Sequence, residues 1–213
     1  MNRLPTLLVL AHASAANQRG KTLDMPSPEE QALRLFDTLH DTLRKGLESG
    51  LPVLLVAPRD VAERARTLLP GNCVVELEDN EPTFVKTSEQ PDNFARAVAA
   101  GVLASAHADG WLILPARVPM LRANTLRRIA DAPDHQPVVV PQYQQMSGHP
   151  IRFSSEFFSE LIRLQSERDL NRLIARYPTV CMDVDDPGVL ITSHAHIGFV
   201  QSQVGQRAGD AKY

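Results

Sequence analysis

Only two cysteines, Cys73 and Cys181, occur in this chain of 213 residues. They lie far apart, with no metal-ligand spacing, so neither a disulfide framework nor a thiolate metal site is encoded. Each adjoins apolar residues, Val74 and Val75 for one and Val180 and Met182 for the other, and the expectation is two buried core thiols. Long apolar runs are missing as well. The N-terminal run, Leu7 to Ala11, is too short for a secretory core and far too short for a bilayer span, which needs about 20 residues. The expectation is a soluble, cytoplasmic protein with no membrane partner. Charge of one sign is missing too: the net charge is −3, which gives no global electrostatic case for binding nucleic acid. Two glycine signatures are also absent. No Gly-x-Gly-x-x-Gly follows the first apolar run, which removes the dinucleotide-binding reading. No Gly-x-Ser-x-Gly surrounds Ser14, which removes the nucleophile elbow of a serine hydrolase.

What the chain does have is hydrophobic content of 43%, enough for a sizeable core, arranged as short apolar runs alternating with amphipathic stretches. That alternation is the mark of an α/β domain. Strands are expected at Leu7 to Ala11, Leu51 to Ala57, Asn72 to Leu77, Trp111 to Leu114, Pro137 to Pro141 and Val180 to Val184. Shorter extended pieces are expected at His149 to Phe153 and Val189 to Ile191. Most are continuous rather than alternating runs, so the sheet is expected to be covered on both faces. Between them fall helices. The first opens at Ser27-Pro28 with Glu30 completing a capping box, shows Leu33, Phe36, Leu39, Leu43 and Leu47 on one face, and ends at Gly50. Others are read at Asp60 to Leu69, Pro91 to His107, Asn124 to Ala132, Ser154 to Leu164, Arg168 to Tyr177 and Ser193 to Val204. Tyr143 to Gly148 reads as polar loop, and Gly205 to Tyr213 as a polar tail. No repeat or linker divides the chain, so one domain, 1–213, is expected.

Three segments carry a resemblance. The first is Trp111-Leu112-Ile113-Leu114-Pro115-Ala116-Arg117-Val118-Pro119-Met120, a buried strand running into a tight turn. The second is the C-terminal series: Val138 to Tyr143, then Ser147-Gly148-His149-Pro150-Ile151-Arg152-Phe153, then the helical Phe157 to Leu161 and Asp169 to Ile174, then the turn Asp185-Asp186-Pro187-Gly188. The third, less close, is Leu10-Ala11-His12-Ala13-Ser14-Ala15-Ala16-Asn17-Gln18-Arg19-Gly20-Lys21. In order and spacing these are similar to the MobA-like nucleotidyltransferases, the cytidylyl- and guanylyltransferases of the molybdenum cofactor.

The resemblance implies a three-layer α/β/α fold around a mostly parallel mixed sheet, the nucleotide-diphospho-sugar transferase (GT-A/Rossmann-like) architecture. It implies a nucleotide-binding half at about 1–115 and an acceptor-binding half at about 116–205. CTP or GTP would be substrate, molybdopterin the acceptor, magnesium the cofactor, and a molybdoenzyme or chaperone a partner. Carried over by position, Leu10, Ala11, Ala13, Ser14, Arg19, Gly20 and Lys21 would cradle the nucleotide phosphates. Lys21 and Arg117 would stand at the catalytic positions, and Gly148, His149 and Pro150 beside the acceptor.

The chain departs from the pattern where the chemistry is densest. Ala13 replaces the first loop glycine, where phosphates approach the backbone closely. Magnesium needs carboxylate oxygens, yet Arg117 stands at the first acidic position, and Thr192 and His194 at the second. Two readings of Arg117 follow: a cation for phosphate or carboxylate, grouped with Arg19 and Lys21, or an ion pair with Asp185 or Asp186. Arg19 and Lys21 are otherwise solvated loop cations, and the two aspartates are otherwise turn residues or nearby acids for a metal. His149, His194 and His196 read either as exposed histidines or as a transition-metal set. The functional reading therefore has two branches, a working nucleotidyltransferase or a degenerate member that binds a nucleotide, a phosphorylated metabolite or a partner protein without turnover.

Overall fold

In the computed structural model, residues 4–11, 28–77, 91–118, 120–133 and 135–190 are described. The parallel core consists of β1 (Thr6–Leu10), β2 (Val53–Pro58), β3 (Val74–Leu77) and β4 (Gly110–Pro115). Later come β5 (Val138–Tyr143), β6 (Met146–Ser147), β7 (Ile151–Ser154) and β8 (Thr179–Asp183). The helices are α1 (Pro28–Glu48), α2 (Arg59–Ala65), α3 (Asn93–Ala104), α4 (Ala123–Ala130), α5 (Phe158–Leu161) and α6 (Glu167–Arg176). The strands form one eight-stranded sheet in the order β3-β2-β1-β4-β7-β5-β6, with β8 also paired to β5. β1, β2, β3 and β4 pair in parallel, as do β5 and β8. β7 pairs antiparallel with both β4 and β5, so it alone runs reversed through the middle of the sheet. β6 forms a small antiparallel ribbon with the end of β5.

The continuous apolar runs are continuous because both faces are covered. Every residue of β1 is buried. Leu7 joins a core with Leu39 and Leu43 of α1, Ala62 of α2 and Leu126 of α4. Its neighbour Leu8 joins the opposite core, with Phe94 and Val98 of α3, Leu161 of α5 and Leu170 of α6. The period of two sends successive side chains to opposite layers. Two glycines let the helices come close. A Cβ on Gly46 of α1 would lie 2.9 Å from Leu7 Cδ2, and one on Gly101 of α3 would lie 3.0 Å from Val56 Cγ2. The fold is thus the expected three-layer α/β/α sandwich around a mostly parallel mixed sheet.

Helix ends follow local chemistry. Asp92 caps α3 by accepting from Ala95 N at 2.8 Å, and Ser166 caps α6 by accepting from Asp169 N. Gly50, with φ +71°, turns the chain out of α1 as expected.

Several expectations need correction. Leu47 is half exposed, not core. At 100° per residue it lies about 80° around the helix from Leu39, beyond the buried stripe, and Gly46 faces the sheet instead. Residues 143–148 are not loop but a hairpin: Gln144 and Gln145 both have positive φ (48° and 64°), and Tyr143 pairs with Met146. Such a turn normally carries Asn or Gly, so the glutamines gave no signal. Ser154 to Leu164 is not one helix but a 3-10 turn, Ser155–Phe157, followed by the single-turn α5. The 187–189 segment is a 3-10 turn rather than an extended piece. Both cysteines are half-buried rather than core, and burial together with the charge of Asp183 pushes the Cys181 thiol up. Ser27, the side chains of Leu33 and Phe36, and the helix read at 193–204 lie outside the described residues.

Candidate nucleotide site at the carboxyl edge

In an open parallel sheet, ligands bind beyond the carboxyl ends of the strands, where the strand order reverses. Here that point lies between β1 and β4. The chain leaves β1 toward β2 and β3 and then returns on the other side as β4. Leu10 pairs with Pro115. Just beyond, Ala11 N donates to Val56 O at 2.9 Å and Ala116 N donates to Leu10 O at 3.0 Å. Leu10 and Ala11 are buried, one in each core. Their side chains serve packing. Ala13, Ser14, Arg19, Gly20 and Lys21 lie outside the described residues.

Arg117 sits on the other lip. Its neighbour Ala116 is pinned from two sides, through N–H to Leu10 O and through its carbonyl to Thr42. The Thr42 hydroxyl, buried in α1, lies 3.0 Å from Ala116 O and 2.9 Å from Thr38 O, so one proton serves both. Val118 O accepts from Leu121 N and Val118 itself is buried. Between these fixed points the Arg117 side chain stands exposed. Among the described residues it forms no ion pair, so of its two readings the partnership with Asp185 or Asp186 is not made.

Asp186 has another role. It is 1% exposed. Its Oδ2 accepts from Arg122 N at 2.9 Å and from Thr125 Oγ1 at 2.6 Å, and its Oδ1 accepts from Gly188 N at 2.9 Å. The carboxylate thereby ties the start of α4 to the turn at 185–189. The guanidinium of Arg122 adds a bond to the backbone carbonyl of Asp185 at 2.8 Å. The sequence reading of Asp186 as a turn residue captured only the bond to Gly188. Its long-range donors, Arg122 and Thr125, carried no local signal, and neither did Thr42.

Gly148, His149 and Pro150 join the same assembly. Gly148 N donates to Pro141 O, and His149 N donates to Val189 O at 2.7 Å. Gly148 and Pro150 are buried and His149 is half-buried. The peptide bond between His149 and Pro150 is cis. A side chain on Gly148 would overlap the Val189 carbonyl, and one on Gly188 would overlap the Met120 carbonyl. Three loops therefore interlock at one edge: the β4 exit with Arg117, the entry to β7 with Gly148-His149-Pro150, and the acidic turn. Met120, 79% exposed, forms the outer rim. Thr192, His194 and His196 lie outside the described residues.

The donor set decides whether a divalent ion fits at the β4 exit. Asp186 has both oxygens engaged by protein donors and is closed to solvent. Asp185 is exposed, but the residue at the strand end is a cation. Among the described residues no group of three or more His, Cys, Asp or Glu side chains is placed to hold a metal. These residues do not fit a magnesium ion.

The family model for the MobA-like NTP transferase domain matches residues 31–180. The chain belongs to this family. Solved structures agree. Rv0371c from Mycobacterium tuberculosis H37Rv is 25% identical, covers 84% of this chain and 88% of its own length, and superposes with a TM-score of 0.60. A second structure of Rv0371c, in complex with manganese, is 24% identical over 86% and 89% of the two chains, with a TM-score of 0.57. A nucleotidyl transferase from Methanothermobacter shares 15% identity over 97% of this chain and all of that one, with a TM-score of 0.63. No curated protein matches the chain. The MobA-like chain is thus nucleotidyltransferase-like in family and fold. No helix among its described residues is long and apolar enough to cross a membrane.

Proposed function

We propose that this MobA-like chain is a single cytoplasmic nucleotidyltransferase domain that holds CTP or GTP across the β1–β4 edge and presents it to a molybdopterin-type phosphorylated acceptor. The observation that carries the reading is the interlocking of the Arg117, Gly148-His149-Pro150 and Asp185–Val189 segments at the switch point, where an α/β sheet binds nucleotides. In such a transfer an acceptor phosphate oxygen bonds to the α-phosphorus. The bond from that phosphorus to the oxygen bridging to the β-phosphate breaks, and pyrophosphate departs. Lys21, Arg19, Gly20, Ser14 and the 10–13 backbone would surround the triphosphate. Arg117 would draw phosphate oxygens as a planar, permanently charged donor. Gly148, His149 and Pro150 would border the acceptor, and a molybdoenzyme or its chaperone would receive the product.

One observation favours a second reading, binding without turnover. Arg117 is a cation at the strand end where the family places an acid, so charge neutralisation at the α-phosphorus follows a different plan or is lost. Incubating the protein with CTP or GTP, molybdopterin and magnesium or manganese, and measuring pyrophosphate, separates the two. Release that depends on acceptor establishes transfer. Nucleotide binding with no release under any metal condition establishes the second reading, and no binding of either nucleotide defeats both.

A further inference from the structure

We infer that the β4 edge takes the phosphates of its ligand without a divalent ion, with Arg117 as the fixed positive charge. The inference rests on the reading of this edge as the nucleotide site and concerns how that site is neutralised. Three features lead to it. The first is rigidity. The backbone around Arg117 is anchored through Ala116 to Leu10 and Thr42, and through Val118 to Leu121, so the guanidinium is displayed from a frame that need not rearrange. The second is availability. The obvious counter-charge, Asp186, is buried and saturated by Arg122 N, Thr125 Oγ1 and Gly188 N, and Arg117 has no ion pair among the described residues. The third is exclusion. A guanidinium stays protonated at any ordinary pH and offers no oxygen to a metal, so Arg117 cannot be the magnesium ligand that a carboxylate at this strand end would be. A planar fork of N–H donors also offers what the ion would have given, charge against phosphate oxygens, and adds bidentate geometry.

The test is calorimetric titration of the full chain with CTP, GTP and inorganic tripolyphosphate, in EDTA and again in magnesium or manganese, alongside titration with each metal alone. Arg117→Gln and Arg117→Asp are compared with wild type. Position 117 is exposed, so both variants are expected to fold, checked by the emission of Trp111. The expected result is binding in EDTA that magnesium does not tighten, weakened by about tenfold or more in Arg117→Gln, the size of one charge-assisted hydrogen bond. Arg117→Asp is expected to lose binding in EDTA altogether. Wild-type binding that appears only with magnesium or manganese overturns the inference and leaves the nucleotide site standing. Equal affinity of wild type and Arg117→Gln in EDTA also overturns it. No binding in any condition removes both this inference and the nucleotide site.

Discussion

The Thr125 hydroxyl donates to the buried carboxylate of Asp186 at 2.6 Å, across 61 positions of sequence. That bond, with those from Arg122 N and Gly188 N, locks the first turn of α4 to the acidic turn. Asp186→Ala leaves three donors without their acceptor and is expected to cost about 3 kcal/mol. Thr125→Val is expected to cost about 1 kcal/mol, and the double variant less than the sum, since the two share one interaction. Urea unfolding followed by the single, buried Trp111 measures all three. Strict additivity would show that the pair does not act as a unit.

Gly148 and Gly188 are expected to refuse any side chain, because each would drive a Cβ into a neighbouring carbonyl. Alanine at either position should cost about 3 kcal/mol or more. Gly71→Ala, with nothing within 4 Å of the added carbon, is the control and should change stability little. Tolerance of alanine at position 148 would mean that the β7 entry and Val189 are not in contact.

Thr42→Val keeps the volume nearly constant and removes the hydroxyl beneath Ala116. A loss of about 1 to 2 kcal/mol is expected in urea unfolding. Nucleotide affinity should fall with it if the Arg117 lip depends on that anchor. A variant as stable as wild type and unchanged in affinity would make Thr42 a bystander.

The 144–145 turn has two glutamines in the left-handed region, which a type I′ turn fills better with Asn and Gly. Replacing Gln144 with Asn and Gln145 with Gly should stabilise the protein by about 1 kcal/mol, read as a higher Tm. A lower Tm would show that the glutamine side chains hold the hairpin by other means.

Cys181 has its thiol pushed up first by burial and then by Asp183. The thiolate is the reactive form. Alkylation at Cys181 should therefore still be accelerating at pH values where an ordinary thiol has levelled off. Asp183→Asn should move that profile to lower pH without abolishing the shift, since burial remains. An unchanged profile in the variant removes the contribution of Asp183.

How much of this was legible in the sequence depended on the range of the interactions. Leu7 to Leu10 and Trp111 to Leu114 announced themselves as doubly covered strands because burial on both faces demands unbroken apolar runs. Gly50 announced a helix end because a left-handed residue needs no Cβ. The hairpin at 143–146 did not, since its turn residues are chemically atypical and the pairing is set by tertiary context. At the candidate site, Arg117, Gly148, His149 and Pro150 were marked by pattern. Thr42, Arg122 and Thr125 were not, because each works through a bond to a backbone or carboxylate far away in sequence. Of the two readings of Arg117, the ion pair with Asp186 failed for a related reason: that carboxylate was already committed to donors no local pattern could name.

The reversed strand β7 fixes how far apart its two neighbours lie. It pairs with β4 at Gly110–Ile113 and with β5 at Val138 and Val139, which sets those stretches two strand spacings apart, about 10 Å. The chain from Gly148 enters that gap from the open side. The spacing of β4 from β5 is therefore a property of backbone hydrogen bonding and not of any side chain. Substitutions at Arg117 can change the charge displayed there, but the spacing of the strands behind it stays set by the sheet.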